Sequence, residues 1–278
     1  MYKGLVNRIL PFSSVDGPGN RSVIFMQGCN FNCLYCHNPE TINVCNNCGV
    51  CVKSCKYQSL SNKQNEVVWD IKNCKHCDMC LKSCPNDSNP KSLYMSVDEV
   101  YEQIYKVKSF ISGITVSGGE CTLQHEFLTK LFNKVKKLGL TCYVDTNGSI
   151  SLNDKKDFVN VMDMGMIDLK SYDEDEHKML TGMSNKNVIE NIKYLASIDK
   201  LYEVRTVIVP DVLNNHYNVD KISNLIASLN PNIRYKIIRY RNHGVRKDII
   251  SSYTPNDDMM DKLYKIASNN GCTDIILV

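Results

Sequence analysis

Residues 22–37 read Ser22-Val23-Ile24-Phe25-Met26-Gln27-Gly28-Cys29-Asn30-Phe31-Asn32-Cys33-Leu34-Tyr35-Cys36-His37. Val23 to Met26 is an unbroken apolar run of strand length, the pattern of a strand covered on both faces in a parallel sheet. Cys29, Cys33 and Cys36 follow in a C-x3-C-x2-C array. Three thiolates so spaced can hold three irons of a four-iron cubane, whereas a saturated electron-transfer site uses four cysteines. The fourth iron is then open to a substrate. The loop leaves the carboxyl end of its strand, the edge where parallel α/β folds gather their working residues.

Outward from this stretch the chain alternates. Residues 4–10 suggest a strand, and Ser13 to Gly19 is a turn-rich loop. Ser96-Val97-Asp98-Glu99 is a capping-box signature. The helix after it carries Val97, Val100, Tyr101, Ile104, Val107 and Ile111 on one face. Strands are then expected at 114–117, 141–145, 166–170, 202–209 and 234–240. Helices are expected at 127–138, 153–160, 188–198, 219–229 and 257–267, and a short edge strand at 274–278. Repeated βα units imply parallel strands with right-handed crossovers. Six main strands are too few for a closed eight-fold barrel, so the expected fold is α/β, a partial (β/α)6 barrel.

Composition narrows the class. The 278 residues are 43% hydrophobic and 23% charged, with a net charge of +3, ordinary for a soluble globular chain. No basic block suggests nucleic acid. No apolar run is long enough for a membrane span, and Met1 to Phe12 lacks the apolar core of a secretory signal. A cytoplasmic chain is expected, and there the fourteen cysteines read as metal or cluster ligands rather than disulfides. Cys142 and Cys272 read as small buried hydrophobes.

Residues 45–84 change character. Cys45, Cys48, Cys51 and Cys55 form C-x2-C-x2-C-x3-C, and Cys74, Cys77, Cys80 and Cys84 repeat it before Pro85. This resembles the bacterial two-cluster ferredoxin run, in which the fourth cysteine of each motif ligates the other cluster. The resemblance implies one set of Cys45, Cys48, Cys51 and Cys84 and another of Cys74, Cys77, Cys80 and Cys55. Lys56 stands where the first motif usually has proline. A zinc ribbon leaves the doubled spacing unexplained. So short a module has little core and would need its metal to fold. The expected division is a barrel of residues 1–44 and 86–278 with an insert at 45–85.

Each remaining strand end carries polar residues: Ser117-Gly118-Gly119-Glu120, Asp145-Thr146-Asn147-Gly148, Asp168-Leu169-Lys170, Arg205, and Arg239-Tyr240-Arg241-Asn242-His243-Gly244. Singly these are weak signals. Gly118-Gly119 can be a tight turn or a place where backbone approaches a ligand. Asp145 to Gly148 can be an Asx turn, and Asp168 and Lys170 a plain salt bridge. His243 can be a simple loop residue. His37 can be a hydrogen-bonding neighbour of the cluster, and Tyr35 can fill core or pack beside an adenine.

Together with Val15-Asp16-Gly17-Pro18-Gly19, Arg21, Gln27-Gly28-Cys29 and Tyr35-Cys36-His37-Asn38, these residues resemble the radical S-adenosylmethionine (SAM) enzymes. Within them they resemble the glycyl radical enzyme activating enzymes, of which pyruvate formate-lyase activase is the best-known kind. The two-cluster insert is similar to that of the activases for glycerol dehydratase and choline-lyase. Its place beside the cluster loop looks most like the YjjW-type activases. The resemblance implies that Cys29, Cys33 and Cys36 ligate a [4Fe-4S] cluster whose free iron binds SAM. Gly118, Gly119 and Glu120 would hold the methionine amino group, and Tyr35, Asp168 and Lys170 would line the pocket. Asp145 and Thr146 match positions that bind a monovalent cation. Arg205 would lie near SAM or the partner peptide, and Asp16, Gly17, Pro18 and Gly19 where the partner's glycine segment docks. Relatives carry a histidine after the sixth strand; here that position is Arg241, with His243 two residues on, and either could serve. Cys121 follows Glu120, where relatives have proline or alanine.

The implied activity is reductive cleavage of SAM to a 5′-deoxyadenosyl radical that takes hydrogen from a backbone glycine of a partner glycyl radical enzyme. A ferredoxin or flavodoxin would supply electrons to three [4Fe-4S] clusters in all. Two other classes remain open at this point, a radical SAM peptide or protein maturase and a multi-cluster electron carrier.

Overall fold

A computed structural model describes residues 2–246 and 248–278. In chain order the elements are β1 (Lys3–Ser13), β2 (Arg21–Met26), α1 (Val50–Ser54), β3 (Leu60–Lys63), β4 (Glu66–Trp69), α2 (Met79–Lys82), β5 (Leu93–Ser96), α3 (Val97–Val107), β6 (Gly113–Gly118), α4 (His125–Val135), β7 (Thr141–Thr146), α5 (Lys156–Val161), β8 (Met164–Asp168), α6 (Glu174–Thr181), α7 (Lys186–Ser197), β9 (Leu201–Ile208), α8 (Asn215–Leu229), β10 (Arg234–Arg239), α9 (Asp257–Asn269) and β11 (Ile275–Leu277).

One nine-stranded sheet has the order β11-β10-β9-β8-β7-β6-β2-β1-β5. From β2 to β11 every pairing is parallel, while β1 runs antiparallel to both its neighbours. The strands β2 and β6 to β10 follow one another in chain order without reversal. That is the one-way winding of a barrel, not the switch of a doubly wound sheet. It stays open between β5 and β11.

Val23 and Ile24 are both fully buried, which on a strand means both faces are covered. The core joins Ile24, Ile114, Val116, Val144, Ile167 and Val204 to Ile104, Leu128, Leu131, Ile192 and Ile222 of the crossover helices. The capping box forms as read: Ser96 Oγ accepts from Glu99 N, and the Glu99 carboxylate accepts from Ser96 N. Gly139, at φ +74°, ends the helical stretch after α4.

Outside the insert, three features go beyond the sequence reading. β5 is short and lies at an edge. β1 pairs antiparallel because its loop to β2 is too short for a crossover. α6 is mostly polar, although Asp173 caps it by accepting from Glu176 N, a signal present in the sequence.

Residues 45–84 leave the sheet as α1, the β3–β4 hairpin and α2. The two cysteine motifs share a backbone. Asn47, Gly49 and Gln58 are left-handed, and so are His76, Asp78 and Asp87 at the matching positions. Cys55 Sγ lies 3.1 Å from Ser59 Oγ, and Cys84 Sγ lies 3.3 Å from Ser88 Oγ.

Candidate active site

The Cys29–Cys36 stretch after β2 has no helix or strand of its own and is held by its neighbours. Asn32 N donates to Thr181 O and Leu34 N to Leu180 O, each at 2.9 Å. These are carbonyls at the end of α6, which no residue of the helix itself can satisfy. Cys29 N donates to Ile42 O at 2.8 Å. The Asn147 amide reaches Cys29 Sγ at 3.8 Å, and Asn30 bonds Ser149.

β6 closes on the same loop. Gly119 N donates to Met26 O, and Glu120 N to Gly28 O at 2.8 Å. A Cβ at Gly118 would fall 2.3 Å from Met26 backbone, and one at Gly119 would fall 2.3 Å from Gly28 O. The glycine pair is thus required by the contact between two strand ends.

Cys29, Cys33 and Cys36 line one cavity of about 270 Å³, together with Tyr35, His37, Asn38, Gly118, Gly119, Asp145, Thr146, Asn147, Asp168, Lys170 and Arg205. A larger hollow of about 680 Å³ around His125 and Lys155 contains no thiol and no parallel-strand carboxyl end. Convergence rather than size marks the site.

The cavity wall is a network of paired charges. Arg205 bonds Asp145 at 2.9 Å and also pairs with Glu203. Ser117 Oγ donates to the other Asp145 oxygen at 2.9 Å. Lys170 Nζ bonds Asp168 at 2.6 Å. Burial works against the Asp168 carboxylate, yet Lys170 and Arg205 outweigh it and hold its pKa below the usual value. Burial likewise opposes the Lys170 ammonium, and Asp168 outweighs it, so the Lys170 pKa is raised. At Asp145 burial wins and the pKa is raised despite Arg205.

Burial pushes the Cys29 thiol up to about 12 and Cys33 up to about 11, and it raises Cys36. Thiolates at these positions need a cationic partner such as iron. No three His, Cys, Asp or Glu side chains converge tightly enough for a single metal ion among the described residues. A cubane spreads its thiolates, one to each iron.

Not every candidate faces the cavity. Glu120 is 1% exposed and is absorbed by hydrogen bonds: it accepts from Thr122 N, Thr122 Oγ1, Thr146 Oγ1 and Asn147 N. Its carboxylate ties the ends of β6 and β7. Arg241 and His243 line a separate groove of about 800 Å³ with Ser14, Val15 and Gly17. His37, Asn38 and Ile238 belong to both hollows, so the groove adjoins the cavity. Of the remaining loop residues, Asp16 O accepts from Thr115 Oγ1 at 2.6 Å and Pro18 O from Arg21 at 3.3 Å. A Cβ at Gly19 would meet Ser112 Oγ at 2.5 Å.

Comparison with known proteins agrees with this geometry. Residues 23–218 match the Radical SAM superfamily. The chain belongs to that superfamily. A candidate glycyl-radical enzyme activating enzyme of Haemophilus influenzae is 30% identical over 295 residues, 98% of this chain and 96% of that one. The pyruvate formate-lyase-activating enzyme of Streptococcus mutans is 31% identical over 250 residues, 87% of this chain and 79% of that one. A domain of pyruvate-formate lyase-activating enzyme from Bacteroides vulgatus superposes with TM-score 0.52 at 22% identity, over 60% of this chain and 99% of that domain. The chain is therefore an enzyme of the radical SAM activating class, and the family implies a [4Fe-4S] cluster and SAM. The residues fit such a pair: three half-buried thiols share the cavity, and Tyr35 Oη, in the same lining, is buried with no hydrogen-bond partner.

Sequence reasoning missed Arg246. Its guanidinium donates to Asn32 Oδ1 at 2.7 Å and Cys33 O at 3.0 Å and lies 3.4 Å from Asp87. It joins the cluster loop to the end of the second cysteine motif. An isolated arginine in an irregular loop carries no periodic or motif signal. No helix among the described residues is long and apolar enough to cross a membrane.

Proposed function

We propose that this chain is an activase that cleaves SAM reductively and takes a hydrogen atom from a backbone glycine of a partner glycyl radical enzyme. The observation that carries the reading is the junction of the thiol cavity with the groove lined by Val15, Gly17, Arg241 and His243. A small-molecule site would close around its ligand, whereas this one opens into a channel suited to a chain segment.

In this reading Cys29, Cys33 and Cys36 hold the cluster. Its open iron and the bound SAM together supply a low-potential electron and a hydrogen-abstracting 5′-deoxyadenosyl group. Tyr35 offers its unpartnered hydroxyl, and Asp168 and Lys170 present a fixed dipole. Asp145 and Thr146 are oxygen donors where a monovalent cation would sit. Glu120 positions Thr146 and Asn147. Gly17 and its loop, with Arg241 and His243, receive the partner.

Residues 45–85 are read as a ferredoxin-like insert with two further clusters, filled by a ferredoxin or flavodoxin. Four thiols, Cys55, Cys74, Cys77 and Cys80, line one small cavity. Burial, then Cys45, Cys80, Cys84 and Cys48, push Cys51 up to about 11. Each motif carries two left-handed residues, Asn47 and Gly49 in the first and His76 and Asp78 in the second. The Cys84 end reaches the cluster loop through Asp87 and Arg246.

Anaerobic incubation with SAM, dithionite and a candidate partner tests the reading. A glycyl radical doublet in electron paramagnetic resonance, with 5′-deoxyadenosine formed, is the expected result. A modified peptide without the doublet would make the chain a maturase, and no 5′-deoxyadenosine would make it a carrier. Iron is expected at about twelve per chain, four for each of three clusters. Cys33→Ala is expected to abolish 5′-deoxyadenosine formation while keeping about eight irons.

A further inference from the structure

The two halves of the insert match in backbone but not in what surrounds their thiols. The cavity of Cys55, Cys74, Cys77 and Cys80 is also lined by Trp69 and Lys91. Lys91 is tied to Asp78 at 2.7 Å, so its charge is offset where it stands. Trp69 is different: its Nε1 is buried and has no hydrogen-bond partner. An indole N–H can only donate, and a buried donor left unpaired is unfavourable. Trp69 ends β4 opposite Leu60, which is itself buried. The chain holds one tryptophan, so the Cys45, Cys48, Cys51 and Cys84 site has no indole of its own.

We propose that Trp69 tunes one auxiliary site: its indole N–H donates to a sulfur of the cluster held by Cys55, Cys74, Cys77 and Cys80, and sets that site's midpoint potential above its twin's. The inference rests on reading the insert as a two-cluster module. Hydrogen bonds to cluster sulfur favour the more negative, reduced state. One electron from a low-potential donor protein reduces the cluster, and the donor is oxidised by one; no bond is made or broken.

The test uses the full, iron-loaded protein. In a redox titration followed by electron paramagnetic resonance, Trp69→Phe is expected to move one auxiliary midpoint to a more negative value and leave the other in place. Uniform replacement by 5-fluorotryptophan keeps the ring's shape and strengthens the donor; it is expected to move the same midpoint upward. In the wild type, fluorescence from the single tryptophan should be quenched as clusters assemble. That quenching should persist in Cys48→Ser and be weakened in Cys74→Ser. Unchanged midpoints with about twelve irons per chain would overturn the tuning role alone. So would loss of about four irons in Trp69→Phe, since the ring would then be structural. A wild type holding about four irons would overturn the two-cluster reading itself.

Discussion

Lys170 and Asp168 set the charge balance of the cavity. Their side chains are 13% and 26% exposed, so each depends on the other to stay ionised. Lys170→Met strands a largely buried carboxylate, which costs about 3 kcal/mol for a broken buried pair. A lower Tm is expected, with part of the loss offset by Arg205. The pH dependence follows from the two shifts. Asp168 has a folded pKa below its unfolded one, so its contribution is whole above about pH 4 and fades as the pH falls further. Lys170 has a raised folded pKa, so its contribution is whole below about pH 10 and fades as the pH rises past that. Urea unfolding across pH should show a smaller acid-side decline in Asp168→Asn, at a lower overall stability; Glu99, Glu174 and Asp220, whose pKa values are also lowered, keep the rest. Both residues were legible in the sequence because they stand at the carboxyl end of a parallel strand, where such folds gather their working residues. The absorption of Glu120 by Thr122, Thr146 and Asn147 was not legible, since it depends on how close two strand ends come.

Among the elements, the contact of β6 with the cluster loop leaves the least room. Gly119→Ala must displace Gly28 or Thr41 backbone, which lie 2.3 and 2.7 Å from the new carbon. Overpacking of this kind costs about 1–3 kcal/mol. It is expected to impair SAM binding in equilibrium dialysis even where the protein folds. α6 and Arg246 hold the other side of the loop. Arg246→Ala is expected to weaken retention of the loop's cluster about 10–100-fold, as loss of a partner to a ligand's surroundings does, read as faster iron loss to a chelator. Strands and helices were legible where apolar periodicity is strong, as in α3 and β2. β5 and α6 escaped because a four-residue edge strand and a polar helix carry little periodicity. The support that α6 gives the cluster loop was equally hidden, because it runs through backbone carbonyls that any residue could supply.

At the scale of the molecule, the sheet and the insert draw stability from different sources. The sheet buries a large contiguous core, while among residues 45–84 only Gly49, Cys51, Ser59 and Leu60 are buried. Removal of iron is therefore expected to unfold the insert and spare the sheet. Limited proteolysis should then cut between residues 55 and 75 first, with the helical circular dichroism of the barrel retained. The winding of the sheet was legible from the repeated βα pattern, and the cysteine motifs from their doubled spacing.

One bridge near the base of the insert has a consequence for modularity. Asn43 pairs with Ser88 in a parallel bridge, and Asn86 Nδ2 donates to Val44 O at 3.0 Å. The chain leaves the sheet and returns to it beside the same point, so the whole cysteine-rich segment is spliced in like a cassette. A version that runs from Asn43 through a short link to Asn89 changes no strand order and threads no loop. Such a shortened chain is expected to keep the nine-stranded sheet, measured by its Tm and circular dichroism. The same geometry makes the segment separable from the fold that carries it.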